Sequence, residues 1–349
     1  MTLDRLVALS LLPSGASADL PARLLAGDPT LHDQSSRHLP AAQDALARAA
    51  AAGIKIVAWD DPRYPSRLRT IADHPPVLWY RGCLDVSEQP AVAIVGSRAA
   101  SPVALDVAAT LASDLARRGI TIVSGLARGV DGAAHRGALS TGVTIGVLGC
   151  GVDIVYPPSH RALATAVVER GALVSEFVPG TQPLPHHFPV RNRIISGLSH
   201  AVVIVEAAEQ SGSLITARLA LDQGRDVMAV PGSVAQGRNR GAHALIRDGA
   251  PIVESAEDVL RELGWNQAAT PVPGTQATGT TSVFPVVSSD SLLAVMPPGD
   301  TCSLDWLAGE IREPAPVVLA RLLELELTGE VTRVGGGRFM RAAGTCYRN

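Results

Sequence analysis

The chain has 349 residues and a formal net charge of −3, a length that allows two or three domains and a balance that excludes a basic coat over the whole molecule. Apolar residues make up 46% and charged residues 18%, the proportions of a globular chain rather than a disordered one. Cys83, Cys150, Cys302 and Cys346 lie far apart with no Cys-x-x-Cys pair, which argues against zinc and a disulfide framework and fits a reducing cytoplasm. Of the 30 cations only Lys55 is a lysine, a bias that codon usage also produces; any anion site here is expected to use arginine.

In chain order, "MTLDRLVALSLLPSGASA" has a short apolar run, but Asp4 and Ser10 interrupt the pattern of a signal peptide and an amphipathic helix is expected instead. No stretch approaches the roughly 18 apolar residues of a membrane span. Residues 1–52 are rich in Ala and Leu at helical spacing and predict a small helical domain. "DPRYPSRLRTIADHPPVLWYRG" reads as a Pro-rich connector into the main domain, 53–263. There, strand-length apolar runs occur at Val92–Val95, Ile120–Val123, Val143–Leu148, Ala172–Ser175, Val202–Val205, Val227–Val230 and Pro251–Val253. Helix-like segments such as Pro102–Arg118 and Leu214–Gln223 lie between them. Strands without polar alternation, each followed by a helix, predict an α/β fold: a doubly wound, Rossmann-like parallel sheet covered on both faces. Its ligand crevice is expected beyond the carboxyl ends of the strands. Residues 264–289, without a charge and rich in Thr, Pro and Gly, predict a linker. Residues 290–349 then predict three helices and a short hairpin, a winged-helix-like domain.

The expected strand ends carry Gly96-Ser97-Arg98, Ser124-Gly125, Gly149-Cys150-Gly151, Glu176, Glu206 and Pro231-Gly232-Ser233. Glycines let the backbone turn sharply and bring N–H groups to a ligand, and Arg98 stands beside a helix N-terminus, so an anion site is expected here. "HHFPVRNRIISGLS" places Arg191, Asn192 and Arg193 in the first turn of a helix with Phe188 just before it. Cations there oppose the macrodipole by about 0.3–1 kcal/mol, which suggests an anionic partner. "EQSGSLITARLA" adds Ser211, Gly212 and Ser213 ahead of another helix. Capping alone would explain each of these singly; their convergence on one rim favours phosphate. In "GLARGVDGAAHRGAL", Asp131 is expected to cap a helix Gly132–Leu139, with His135 one turn on, while Gly125, Arg128 and Gly129 border the crevice. Neither a nucleophile nor a third metal ligand accompanies the Asp–His pair, and His186-His187 point apart on extended chain, so no metal and no catalytic group are expected. The first turn is not GxGxxG, strand two ends without an acidic residue, and GxxxxGK[ST] is absent; a dinucleotide cofactor and a P-loop are both disfavoured.

Together, "VAIVGSRAAS", "VSGLARGVDGAAHRGAL", "GVLGCGVDIVYP", "HHFPVRNRIISGLS", "VIVEAAEQSGSLITARLALDQGRDVMAVPG" and "NRGAHALIRDGA" resemble the DNA-processing protein A (DprA/Smf) family over about residues 54–260. The resemblance implies a non-enzymatic, cytoplasmic single-stranded-DNA-binding mediator of natural transformation that protects incoming strands and helps load the RecA recombinase. It also implies a homodimer joined through the Rossmann-like domain. It assigns DNA contact to Arg98 of the GSR turn and to Phe188, Arg191 and Asn192, with Arg193 adjoining. Some relatives have a basic residue after the Tyr-Pro pair; Pro158 stands there in this chain, leaving Arg161 as the near cation. Physically, a basic rim would track the strand while Phe188 stacks a base. Residues 91–240 contain 13 Arg against 10 Asp and Glu, so the sheet domain is the basic part. A nucleotide phosphoribohydrolase on the same sheet is the alternative, although a PGGxGTxxE signature is missing. A protein-binding scaffold, with the arginines docking an acidic partner, is a third, and duplex DNA remains a further candidate partner.

Overall fold

The computed structural model describes residues 1–12, 20–265 and most of 292–341; residues 13–19, 266–291, 294, 297–300, 312, 328–330, 335–337 and 342–349 lie outside the described set. The expected linker and Cys346 therefore fall largely outside it. The contact pattern divides the chain into two units, Met1–Val272 and Pro273–Asn349.

The first unit is built on an eight-stranded sheet: β1 (Lys55–Ala58), β2 (Val77–Gly82), β3 (Ala91–Val95), β4 (Thr121–Ser124), β5 (Thr144–Val147), β6 (Ala172–Ser175), β7 (Ala201–Ile204) and β8 (Asp226–Ala229). Its order is β1-β2-β6-β5-β4-β3-β7-β8. From β6 to β8 every pair is parallel. The expected all-parallel sheet is corrected at one edge, where β1 and β2 add antiparallel, with Tyr80 opposite Lys55 and Trp79 opposite Ser175. The Pro-rich "connector" thus contains a strand and the short helix α4 (Ser66–Arg69). At the other edge, Pro251–Val253 forms only an isolated bridge, Ile252 to Ala229, rather than a strand.

Each parallel strand is apolar because both of its faces are covered. Along β3, Val92 and Ile94 face a cluster with α5 (Pro102–Arg117), α6 (Val130–Thr141) and α11 (Ala256–Glu262). Ala91, Ala93 and Val95 face the opposite cluster, with α8 (His187–Gly197), α9 (Ser213–Asp222) and α10 (Arg240–Arg247). Ser101 begins α5 by accepting the Ala104 N–H, and Pro102 fits its first position, where no N–H is needed. α7 (Arg161–Arg170) covers β5 and β6. At the amino end, α1 (Leu3–Ser10) and α3 (Thr30–Ala51), with α2 (Leu20–Leu25) between them, bury Leu6, Val7, Ala42 and Ala45 against Val77 and Trp79 of β2.

In the second unit, β9 (Thr301–Ser303), β10 (Val331–Val334) and β11 (Arg338–Arg341) form an antiparallel sheet in the order β10-β11-β9. Helices Leu304–Ile311 and Ala315–Leu327 share with it a core of Cys302, Leu307, Val318, Leu322, Val331 and Phe339. The hairpin matches expectation. The third strand, β9, lies just before "LDWLAGEI", where a helix alone is expected.

Candidate nucleic-acid interface

The chain runs from β3 outward to β6 and returns to β7 on the other side of β3. The connections beyond β3 and β7 therefore diverge, and a crevice opens between them at the carboxyl ends of the strands. It is a cleft of about 690 Å³ lined by the turn Gly96–Ala99, by Phe188, Arg191 and Asn192 of α8, and by Ser211–Ser213 at the start of α9.

The turn is held from two sides. Ser97 N–H donates to the Glu206 carbonyl at 2.7 Å, and Ser101 donates N–H and Oγ–H to the Glu206 carboxylate, the hydroxyl at 2.7 Å. A Cβ on Gly96 would crowd that carbonyl and the Val130 side chain. Opposite, Gly129 begins α6 at φ +75°, and any side chain there would collide with the Ser97 carbonyl. Glycine at 129 is thus required both by backbone conformation and by the close approach of the turn carrying Arg98.

Arg98 is exposed and lies over the Phe188 ring, 5.0 Å from its centroid. Arg191 approaches the same ring at 5.9 Å, and Tyr156 packs against it at 5.6 Å. Tyr156 itself is 45% exposed and lines the cleft. An exposed guanidinium over one aromatic ring with a second ring beside it can hold a phosphate and stack a base.

Beneath this surface Arg191 is only 3% exposed. Its Nη1 donates to the Gly125 carbonyl at 2.6 Å and to the Val147 carbonyl, binding together the ends of β4 and β5. Burial brings its pKa down to about 10, with nearby Asp131 opposing that effect. Its Nε is buried without a hydrogen-bond partner. Asp131 is itself buried and accepts the Gly125 N–H at 3.2 Å; burial raises its pKa while Arg191 counters.

The structure brings nine of the residues expected from sequence into the cleft lining: Gly96, Ser97, Arg98, Phe188, Arg191, Asn192, Ser211, Gly212 and Ser213. Gly125 lies under Arg191, where a Cβ would strike the guanidinium. Arg128 is exposed on the turn before α6 and does not line the cleft. Arg193 faces elsewhere: it forms a forked ion pair with Glu176 at 2.5 and 2.8 Å and meets Asp73 at 3.2 Å. Burial disfavours its charge, but these carboxylates outweigh that and its pKa is raised.

Three local expectations are corrected. α8 begins at His187, so Phe188 is in its first turn and Arg191–Arg193 follow in the second, which weakens the macrodipole argument for an anion. Asp131 is not an N-cap; Gly129 occupies that place and the carboxylate braces Gly125 instead. His186 and His187 lie on a helical turn with their rings edge to face at 4.5 Å, not on extended chain. His135 joins α6 to the sheet: its Nε2 accepts the Leu126 N–H and its Nδ1 lies 2.8 Å from Thr144 Oγ1. Burial lowers its pKa to about 3. Tyr156 and Glu206 are the additional residues. Tyr156 could be found from the sequence only as an aromatic beside a proline, and Glu206 only as a carboxylate at a strand end. Among the described residues, no group of His, Cys, Asp and Glu could hold a metal ion, and no helix is long and apolar enough to cross a membrane.

This is the layout of the open α/β proteins that receive a ligand at the switch point of the sheet, here with a winged-helix unit in the same chain. The family model described as DNA recombination-mediator protein A matches residues 55–264, and the DprA winged helix domain matches 288–337. The chain belongs to the DNA recombination-mediator protein A family. Protein Smf of Escherichia coli is 41% identical over 82% of this chain and 77% of its own. The DNA processing protein DprA of Streptococcus pneumoniae is 46% identical over 58% of this chain and 72% of its own. The X-ray structure of DprA from Streptococcus pneumoniae superposes with a TM-score of 0.64 at 36% identity, over 75% of this chain and 98% of that one. A DprA structure from Helicobacter pylori, described as giving insight into its single-stranded DNA binding mode, has a TM-score of 0.55 at 29% identity, over 60% of this chain and 95% of that one.

Proposed function

We propose that this chain is a recombination mediator that binds single-stranded DNA in the switch-point cleft, without catalysing a reaction on it. The observation that carries the proposal is Arg98, exposed and stacked over Phe188 at the mouth of a cleft beside Tyr156. Arg98 would hold a phosphate, Tyr156 and Phe188 would offer ring faces to a base, and Gly96, Ser97 and Ser211–Ser213 would present backbone and hydroxyl donors. Arg191 supports the floor and adds positive potential, Asn192 borders it, and Gly125 makes room for the guanidinium. Arg128 stands outside the cleft as a cation for an extended backbone. The single-stranded DNA binding mode described for the Helicobacter pylori relative supports this reading.

Its finer part is a role in natural transformation: protecting incoming strands, helping to load RecA, and acting as a cytoplasmic homodimer through the sheet-bearing unit. Membership of a recombination-mediator family supports it. Asp131, the carboxylate that lines the cleft, is engaged in bracing the Gly125 backbone, which favours binding over catalysis. Mobility shift of labelled single-stranded DNA with the full chain and its Arg98→Ala variant tests the core of the proposal. Wild-type affinity in the folded variant would remove Arg98 from the site.

A further inference from the structure

We propose that the first unit has a second nucleobase subsite, separated from the Arg98 cleft by a crest of Pro189 and Ile215, which receives a neighbouring base of the same strand. The proposal rests on the single-stranded DNA reading of the cleft. The groove has a volume of about 560 Å³ and is lined by His74, Phe177, Thr181, His187, Val190 and Leu219 among others. Pro189 and Ile215 line both this groove and the cleft, so the two are continuous over one crest. Ile215 is 42% exposed there.

The first turn of α8 serves both sides. Successive residues on a helix project about 100° apart, so Phe188 turns toward Arg98 and Tyr156 while His187 turns to the second groove. There His187 stacks on the half-buried Phe177 with ring centroids 4.1 Å apart, and His186 packs edge-on beside it. A second aromatic platform therefore lies one residue along the helix from the first.

Two observations point to a base as the occupant. Phe177, half-buried in the groove wall, offers an uncharged ring that His187 holds in place by stacking, a surface suited to the face of a nucleobase. The fixed charge of the groove is wrong for phosphate: Arg193 is its cation, held by both Glu176 and Asp73. The backbone thus remains over Arg98, and only a base crosses the crest.

The test uses the full chain and oligodeoxythymidylate carrying 5-iododeoxyuridine, irradiated and mapped by mass spectrometry. Crosslinks at Phe177 or His187, in addition to those at Tyr156 or Phe188, are expected. Crosslinks confined to Tyr156 and Phe188 overturn the second subsite. In titrations, Phe177→Leu should weaken binding about five- to tenfold with an unchanged salt slope, because an uncharged stacking face is lost. Phe177→Trp should retain affinity and show emission quenched by the oligonucleotide. Wild-type affinity in Phe177→Leu, or unquenched emission in a DNA-bound Phe177→Trp, overturns the subsite too. If Arg98→Ala weakens binding while the position-177 variants and crosslinks are silent, only the second subsite falls. If the wild-type chain binds no single-stranded DNA, both readings fall.

Discussion

Three arginines expected at one site play three different parts. Arg98 is solvent-exposed, so its charge is available to a ligand; Arg191 is buried and spends its hydrogen bonds on two strand-end carbonyls; Arg193 is neutralised by Glu176 and Asp73. Removing a charge that meets a phosphate lowers the salt slope of log K by about 0.7 on single strands. Arg98→Ala should therefore weaken binding and reduce the slope, whereas Arg98→Lys should recover affinity only in part, since an ammonium lacks the planar fork. Phe188→Ala should lower affinity by about 1–3 kcal/mol with little change in slope. Salt titrations of all three variants check this; an unaltered slope in Arg98→Ala excludes a phosphate contact. For Arg193→Ala a different outcome is expected. Leaving the Glu176 carboxylate partly buried and unpaired should lower stability by about 3 kcal/mol, while the slope of the folded fraction stays that of wild type. A slope reduced by about 0.7 would instead show that Arg193 reaches the strand. Nothing in "VGSRAAS" or "PVRNRIISG" distinguishes Arg98, Arg191 and Arg193. Their roles depend on carboxylates and carbonyls tens of residues away, so the sequence reveals a cluster of cations and only the fold divides it.

The elements of the parallel sheet are legible because a strand buried on both faces has to be apolar along its whole length, as "AVAIV" of β3 is. β1 and β2 escape the same logic. "KIVA" has an exposed Lys55 at its start, and "VLWYRG" follows two prolines, which locally read as turn. Their place is set instead by N-terminal helices packing on Trp79 and Val77. The capping of α6 was similarly hidden: Asp131 has the chemistry of an N-cap, but the turn enters the helix through Gly129 at φ +75° because the backbone of Ser97 passes against it. What α6 does contribute is the His135 tie between the Leu126 amide and Thr144 on β5. That tie has a pH signature. The unfolded imidazole takes a proton near pH 6.5, while the buried one resists until about 3, so the unfolded state binds more protons over this window. Stability is full above about 6.5 and is lost as pH falls, by about 1.4 kcal/mol per unit at most. At pH 4.5 the loss from His135 should be on the order of 2–3 kcal/mol. Denaturant titrations at pH 7.5 and 4.5 should show a smaller difference in His135→Gln than in wild type; equal differences would mean that another group governs acid stability.

At the scale of the whole molecule, the basic sheet unit is joined in sequence to an acidic one. Residues 285–349 contain 6 Arg against 8 Asp and Glu, a net −2, whereas 91–240 is net +3. A winged helix ordinarily reads duplex DNA with its recognition helix, which needs a basic or amide-rich exposed face. The candidate here, Ala315–Leu327, reads "APVVLARLLELEL", with Arg321 as its one cation and Glu324 and Glu326 near its end. Val318, Leu322 and Leu325 are its core face, packed with Leu307 and Phe339, so its apolar content is accounted for by the fold of the unit itself. Phosphate neutralisation dominates nonspecific affinity, and this helix offers little of it. Arg333, Arg338 and Arg341 supply the counterweight, since β10 and β11 gather them on one hairpin. Three contacts on a duplex would give a salt slope of roughly −2.7, a weak grip that a net negative unit opposes. The expected outcome is that residues 273–349, prepared alone, bind duplex DNA no tighter than about 100 μM near physiological salt, within the nonspecific range. Deleting the unit should correspondingly leave the single-strand affinity of the sheet-bearing unit within about threefold of the full chain, since the Arg98 cleft is built wholly from residues 95–216. Titration of the isolated unit with a labelled duplex is the direct measurement. Micromolar binding, abolished when the three hairpin arginines are changed together to alanine, would assign it a DNA-gripping role despite its charge.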